Sequence, residues 1–208
     1  MIPLGVTSFR SFILRLGLAS ILAGLLVPAA SAQPAVAGLL NNYSFLIPGT
    51  PNYGIAQGSI FAIFGSNMAP EGLLQQGFEP ALNRNLGGVS IRIAAGGTTT
   101  EAIPYFVSPG QIAAILPSAT PAGPATLTVE YNGRTSAPFA FEVVRSAFGI
   151  LTMGGNGLGM AAVHDVDFRL LALERPARPG QIILFWGTGL GPDSNDETQL
   201  IAAPRNLE

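Results

Sequence analysis

The histidine of this chain, His164, stands next to two carboxylates, Asp165 and Asp167, in the sequence His-Asp-Val-Asp. An imidazole and two carboxylates are groups that ligate divalent cations and perform general acid–base catalysis. A zinc site needs more nitrogen or sulfur ligands than one histidine and no cysteine supply. We therefore interpret His164–Asp167 as a polar β-turn and predict neither a metal site nor a catalytic group there.

Two other segments contain parts of known binding motifs. Asp193–Glu197 has oxygen ligands at alternate positions, but Thr198 and Pro204 stand where a calcium loop requires glycine and a bidentate glutamate. Gly154–Gly159 is rich in glycine, yet Met160 stands where a nucleotide-binding loop requires its last glycine. The sequence also lacks the Gly-x-Ser-x-Gly elbow of serine hydrolases. We predict no cofactor, no metal and no enzymatic activity.

Aromatic side chains are the remaining candidates for ligand contact. Tyr43 and Tyr53 lie in the lead-in Gln33–Tyr53, whose asparagine, proline and glycine residues favour exposed turns. Exposed aromatic rings of this kind stack on sugar rings. Trp186 lies within an apolar strand and is predicted to pack in the core. Tyr43 and Tyr53 are therefore the predicted ligand contacts.

Residues 1–32 have the layout of a signal peptide. Arg10 and Arg15 precede an apolar run of 12 residues, Leu16–Val27, and Ala30–Ala32 reads Ala-Ser-Ala, a cleavage signal. The run is short for a bilayer span, which takes about 20 residues, although an uncleaved membrane anchor is the alternative. We predict an exported chain that begins near Gln33 and has no membrane span after signal removal. Its predicted location is periplasmic, extracellular or on the cell surface.

Composition narrows the class of partner. The chain has 10 arginines and no lysine against 12 acids, and its net charge of −2 gives no clustered basic face for nucleic acid. Without cysteine it has neither disulfides nor a lipid anchor on a thiol, so burial of apolar side chains must stabilise the fold. The predicted partner is a protein or a surface polysaccharide.

Hydrophobic patterning predicts an almost purely β chain, because alternation is frequent and helical periodicity is absent. Gly88–Ile93 alternates apolar and polar residues, with Arg92 facing water. Asn132-Gly133 lies between two alternating strands and predicts a type I′ hairpin. The predicted inward-facing residues of these strands are Val89, Ile91, Ile93, Leu127, Val129, Tyr131, Phe139, Phe141 and Val143.

One strand-and-turn motif occurs twice. Gly58–Pro70, called repeat 1, returns 122 positions later as Gly180–Pro192, called repeat 2. From Gly58 to Val144 the first unit takes 87 residues, whereas 29 remain from Gly180 to Glu208. We expect one complete unit over residues 33–145 and a partial second unit over residues 146–208, in a sequence that stops early. An unfinished sheet would expose a strand edge that invites pairing.

Seven short motifs, in this order and spacing, carry a family resemblance: Asn42–Phe45, Ile55–Ile60, Ile63–Asn67, Leu86–Val89, Tyr105–Ile112, Ala122–Thr126 and Gly187–Pro192. The chain resembles the IPT/TIG immunoglobulin-like β-sandwich, and more specifically the uncharacterised C-terminal repeat domain of Solibacter-type acidobacterial exported proteins. It departs from that pattern at Tyr43, where a small residue is usual, and at Gln57, where proline is usual.

The resemblance implies an all-β, immunoglobulin-like sandwich and supplies no catalytic residue to carry over. We therefore expect a non-catalytic exported module that serves as a structural spacer or as a protein-interaction and adhesion unit. The alternative is an accessory carbohydrate-binding module that uses Tyr43 and Tyr53.

Overall fold

A computed structural model of the chain describes residues 32–77, 81–194 and 197–199. The predicted signal peptide, apart from Ala32, and Pro204 lie outside these residues. The described residues from Gln33 onward form one compact unit. Its described part contains β-strands and no helix, which confirms the prediction of an all-β chain. Accordingly, none of the described residues belongs to a helix that could cross a membrane.

The strands in chain order are β1 Ala35–Asn41, β2 Ile55–Ala56, β3 Ile60–Ser66, β4 Leu74–Gln75, β5 Ser90–Ala95, β6 Thr98–Val107, β7 Gln111–Ile115, β8 Gly123–Tyr131, β9 Arg134–Thr135, β10 Phe139–Val144, β11 Gly149–Ile150, β12 Val163–Asp165, β13 Ile183–Phe185 and β14 Gly187–Thr188. The main sheet has the order β1-β3-β7-β6-β5-β8-β10-β2, with β4 on β6 and β9 on β8. Its pairs are antiparallel except for β10 with β2. β11 pairs with β14 and β12 with β13.

The long strand β6 joins the two halves of the main sheet. Its first half, Thr98–Ala102, pairs with β5, and its second half, Ile103–Val107, pairs with β7. Buried apolar side chains from both halves form one cluster, and β1 contacts β8 and β10 from the other end of the sheet. The sheet therefore folds around a single core, as the sheets of sandwiches and barrels do.

The predicted alternation in β5 and the hairpin is confirmed. Val89, Ile91 and Ile93 are fully buried, whereas Arg92 faces water and lies 3.1 Å from Glu130. Leu127, Val129, Phe141 and Val143 are buried, and Tyr131 and Phe139 pack partly buried against the same cluster. Asn132 and Gly133 both have positive φ, 52° and 70°, as a type I′ turn requires.

The two repeats share backbone features. Gly58 and Gly180 have positive φ, and so do Asn67 and Gly189 at the turn. At Gly65 a Cβ atom would overlap the carbonyl oxygen of Ala35, and at the equivalent Gly187 it would overlap the ring of Phe148. The recurring glycines are therefore required by close approach and by turn conformation.

Candidate functional site

In repeat 1, strand β3 is paired on both edges. The N–H of Leu116 donates to Ser59 O (2.9 Å) on the β7 side, whereas the N–H of Asn42 donates to Ile60 O (3.2 Å) on the β1 side. Because backbone groups of successive strand residues point to opposite edges, Phe61 and Ile63 face β7. Phe61 lies opposite Ala114, and Ile63 lies opposite Ile112.

In repeat 2, the strand equivalent to β3 consists of β13 and β14. One edge of this strand is paired, by β12 along β13 and by β11 along β14. Asp165 N–H donates to Arg169 O at 3.0 Å, away from β13, so His164 faces β13, where it lies opposite Leu184. Ile183 and Phe185 therefore point to the other edge, which no described strand pairs. We call this edge of β13 the free edge; its two residues are the equivalents of Phe61 and Ile63.

The segment around the free edge exposes many large apolar side chains. Thirteen of the sixteen exposed large hydrophobic residues in the described chain lie between positions 148 and 190. They are Phe148, Ile150, Met153, Leu158, Met160, Val166, Phe168, Leu170, Leu173, Ile182, Phe185, Trp186 and Leu190. Exposed apolar residues this concentrated are typical of interaction surfaces.

Trp186 lies beside the free edge and is 42% exposed, so the prediction that it packs in the core is wrong. Its equivalent, Phe64, lies on the face of β3 opposite Phe61 and Ile63 and is itself only partly buried. Since side chains alternate along a strand, an apolar run does not place every member in the core.

The indole of Trp186 is held in place by its neighbours. Its Nε1 donates a hydrogen bond to Nδ1 of His164 at 3.0 Å, and the two rings meet edge to face. The ring of Phe168, which is 65% exposed, lies 6.3 Å from the indole at 36°. Together Trp186 and Phe168 present two neighbouring aromatic rings to solvent.

Asp165 fixes the turn that carries Phe168. Its buried carboxylate accepts hydrogen bonds from Arg175 at 2.6 Å, from Arg169 N–H at 2.9 Å and from Asp167 N–H at 3.0 Å. The Arg175 bond, followed by the backbone bond from Arg169, lowers the pKa of Asp165 below its ordinary value. Phe168 has φ of 59°, a left-handed conformation that these bonds support.

The polar turn predicted at His164–Asp167 begins one residue later, because His164 belongs to the β12–β13 ladder. Among the described residues, the imidazole of His164 makes its one side-chain hydrogen bond with the indole of Trp186. In the described parts of the chain, no three histidine, aspartate or glutamate side chains form a group that could hold a metal ion.

Tyr43 and Tyr53, the predicted ligand contacts, are each partly buried in the lead-in. Burial raises the pKa of Tyr43, and the nearby Tyr105 raises it further. Burial also raises the pKa of Tyr53. Tyr43 therefore lies close to Tyr105 of β6. No ring contact joins Tyr43 to Tyr53 in the described chain.

Asn41 is a residue that the sequence analysis missed. Its side chain is buried, and its Oδ1 accepts hydrogen bonds from the N–H groups of Tyr43 at 2.9 Å and Ser44 at 3.1 Å. Its Nδ2 donates to Ala147 O at 3.0 Å. The Asn-Asn dipeptide before a turn was the available signal, because asparagine caps local backbone N–H groups.

Asp193 and Glu197 lie against Ser118, whose N–H donates to Glu197 Oε1 at 2.6 Å and whose Oγ accepts from Asp193 N–H at 2.9 Å. An open polar cleft of about 580 Å³ lies here, lined in part by Arg84 and Glu101. The carboxylate of Glu197 thus binds the backbone between β7 and β8.

No family model matches the sequence, and no curated protein matches it. A protein of unknown function from Bacteroides thetaiotaomicron VPI-5482 is similar in structure, with 11% identity and a TM-score of 0.37 over 60% of this chain and 24% of that chain. A putative bacterial DNA binding protein from Bacteroides vulgatus ATCC 8482 has 22% identity and a TM-score of 0.26 over 42% of this chain and 39% of that chain. The chain thus spans less than half the length of either structure.

Proposed function

We propose that the chain is a non-catalytic, exported module with an immunoglobulin-like, IPT/TIG-type β-sandwich that acts as a protein-interaction unit. The observation that carries the proposal is the concentration of exposed large apolar residues between positions 148 and 190, around a strand edge that no described strand pairs. A spacer needs no such surface, whereas an interaction unit buries it on binding.

The sandwich type is supported by the antiparallel pairing, by a single core between the two halves of the sheet, and by the long strand β6 that joins those halves. The motif resemblance supports the IPT/TIG assignment, and the apolar segment before Ala32 supports export. The non-catalytic assignment is supported by the engagement of the polar groups. His164 bonds Trp186, and the carboxylate of Asp165 is occupied by three donors.

The test is binding of the exported form, from Gln33 onward, to envelope fractions of its own organism. We expect saturable, protease-sensitive binding that is weakened in Ile182→Ser, whose side chain is 69% exposed. Leu73→Ser is the matched control, because Leu73 is 63% exposed but lies outside residues 148–190. Absence of saturable binding, or equal loss in both variants, would contradict an interaction role for this surface.

A carbohydrate-binding module is the second candidate, and the exposed pair Trp186 and Phe168 favours it. Charged side chains that could bond sugar hydroxyls, Asp167 and Arg169, flank Phe168 in the sequence and lie 3.7 Å from each other. A polysaccharide pull-down with Trp186→Ala, Tyr43→Ala and Tyr53→Ala tests it. Reproducible binding that one of these substitutions removes would replace the protein-interaction proposal.

A further inference from the structure

We infer that the free edge of β13 binds an extended, uncharged strand of a separate polypeptide, antiparallel and with the residue pattern of β7. This inference rests on the proposed interaction function and names its partner class. Repeat 1 supplies the template, because the equivalent edge of β3 is filled by β7, Gln111–Ile115.

The backbone groups available at the free edge match those that β3 uses to bind β7. In repeat 1, Phe61 and Ile63 face β7, and there they lie opposite Ala114 and Ile112. Shifted by the repeat spacing of 122, the same positions are Ile183 and Phe185. Neither residue has a hydrogen-bond partner on that edge among the described residues. The incoming strand therefore has an alanine-like residue opposite Ile183 and an isoleucine-like residue opposite Phe185.

Side chains around the free edge define the chemistry of the partner. Residues 181–192 include no charged side chain, and neither does β7. Ile182, Phe185 and Trp186 are exposed by 69%, 51% and 42%. An uncharged strand with alternating apolar residues buries these side chains without desolvating a charge, whereas a charged strand would lose its hydration there.

Another molecule of this chain is a poorer occupant. Antiparallel self-pairing centred on Leu184 would place Phe185 of one molecule opposite Ile183 of the other. In repeat 1 the residue opposite the Ile183 equivalent is the small Ala114. Self-pairing therefore does not reproduce the pattern of repeat 1, in which a small residue lies opposite the Ile183 equivalent and a bulky residue lies opposite the Phe185 equivalent.

The probe is a synthetic peptide with the sequence Gln111–Leu116 and a charged tail for solubility. Trp186, the only tryptophan, adjoins the free edge and reports binding by fluorescence. We expect a saturable fluorescence shift with the exported form of the chain. N-methylation at the Ala114 position removes an N–H that faces the bound strand and should weaken binding about tenfold. N-methylation at the Ala113 position, whose N–H faces the opposite edge, is the matched control and should leave affinity unchanged.

A protein variant completes the test. Ile183→Pro removes an outward N–H and leaves the pairing of Leu184 with His164, so it should abolish peptide binding while the Trp186 signal of the free protein is retained. Equal binding of both N-methylated peptides, or no binding of the parent peptide, overturns the inference. A dimer in ultracentrifugation that Ile183→Pro dissociates, without peptide binding, would assign the edge to a second molecule and also overturn it. If the peptide fails while envelope binding still depends on Ile182, strand addition fails and the interaction function stands.

Discussion

Asn41 links strand β1 to the segment before β11, since its Nδ2 donates to the carbonyl oxygen of Ala147 at 3.0 Å. Asn41 is the last residue of β1, and Ala147 precedes β11. A second bond supports the same junction, from Ile60 N–H to Thr188 Oγ1 at 2.8 Å. The segment that carries the exposed apolar residues is therefore anchored to β1 and β3 by hydrogen bonds.

Replacing Asn41 should loosen this junction. Asn41→Ala leaves the N–H groups of Tyr43 and Ser44 and the carbonyl of Ala147 without the partner they have now, and we expect a loss of about 1–3 kcal/mol in unfolding free energy. Urea denaturation measures this loss in unfolding free energy. Asn42→Ala is the control, because the Asn42 side chain makes no hydrogen bond among the described residues, and it should change stability by less than about 0.5 kcal/mol. Equal effects of the two substitutions would contradict the anchoring role.

Equivalent positions in the two repeats should differ in their contribution to stability. Met68 is fully buried, whereas its counterpart Leu190 is 59% exposed. We expect Met68→Ala to cost about 2–5 kcal/mol, because it leaves a cavity in the core. Leu190→Ala should cost less than about 0.5 kcal/mol. Chemical denaturation compares them, and a large loss for Leu190→Ala would mean that repeat 2 is buried in solution.

The Asp165 turn should weaken in acid. The hydrogen bond from Arg175 lowers the pKa of Asp165 in the folded state, so the ionised carboxylate stabilises the fold above its unfolded-state pKa. That contribution is lost as pH falls through the folded-state value. Unfolding monitored by Trp186 fluorescence at pH 7 and at about pH 3 should show a larger acid loss in the wild type than in Asp165→Asn. The same pH dependence in both proteins would be evidence against this linkage.

Local patterns predicted β5 and the hairpin of β8 and β9 well. Asn132-Gly133 specifies its turn through two positive φ angles, and the alternation around Ile91 specifies which face is buried. At the corner between β6 and β7, Ser108 N–H donates to Gln111 O at 2.9 Å, and Pro109 and Gly110 lie between these two residues. In each case the determining residues are close in sequence, so the sequence contains the whole signal.

The candidate site could not be predicted in the same way. The exposure of Trp186 depends on which strands cover β13, and that is decided by pairing between distant segments. The role of Asn41 depends on Ala147, which is 106 positions away. The repeat gave the best information on pairing between distant segments, because the partners of β3 in repeat 1 indicate which kind of strand pairs with the equivalent residues of repeat 2. The division of the chain at residues 145 and 146 stays a prediction.

Amide hydrogen exchange at single residues tests the free edge most directly. In the protein without partner, we predict rapid exchange at Ile183 and Phe185 and slow exchange at Leu184, which faces β12. Phe61 and Ile63, the equivalent residues in repeat 1, should exchange slowly because β7 covers them. The peptide with the β7 sequence should slow exchange at Ile183 and Phe185. If the amides of Ile183 and Phe185 in the protein without partner are already as protected as those of Phe61 and Ile63, β13 has no free edge and a partner strand cannot bind there.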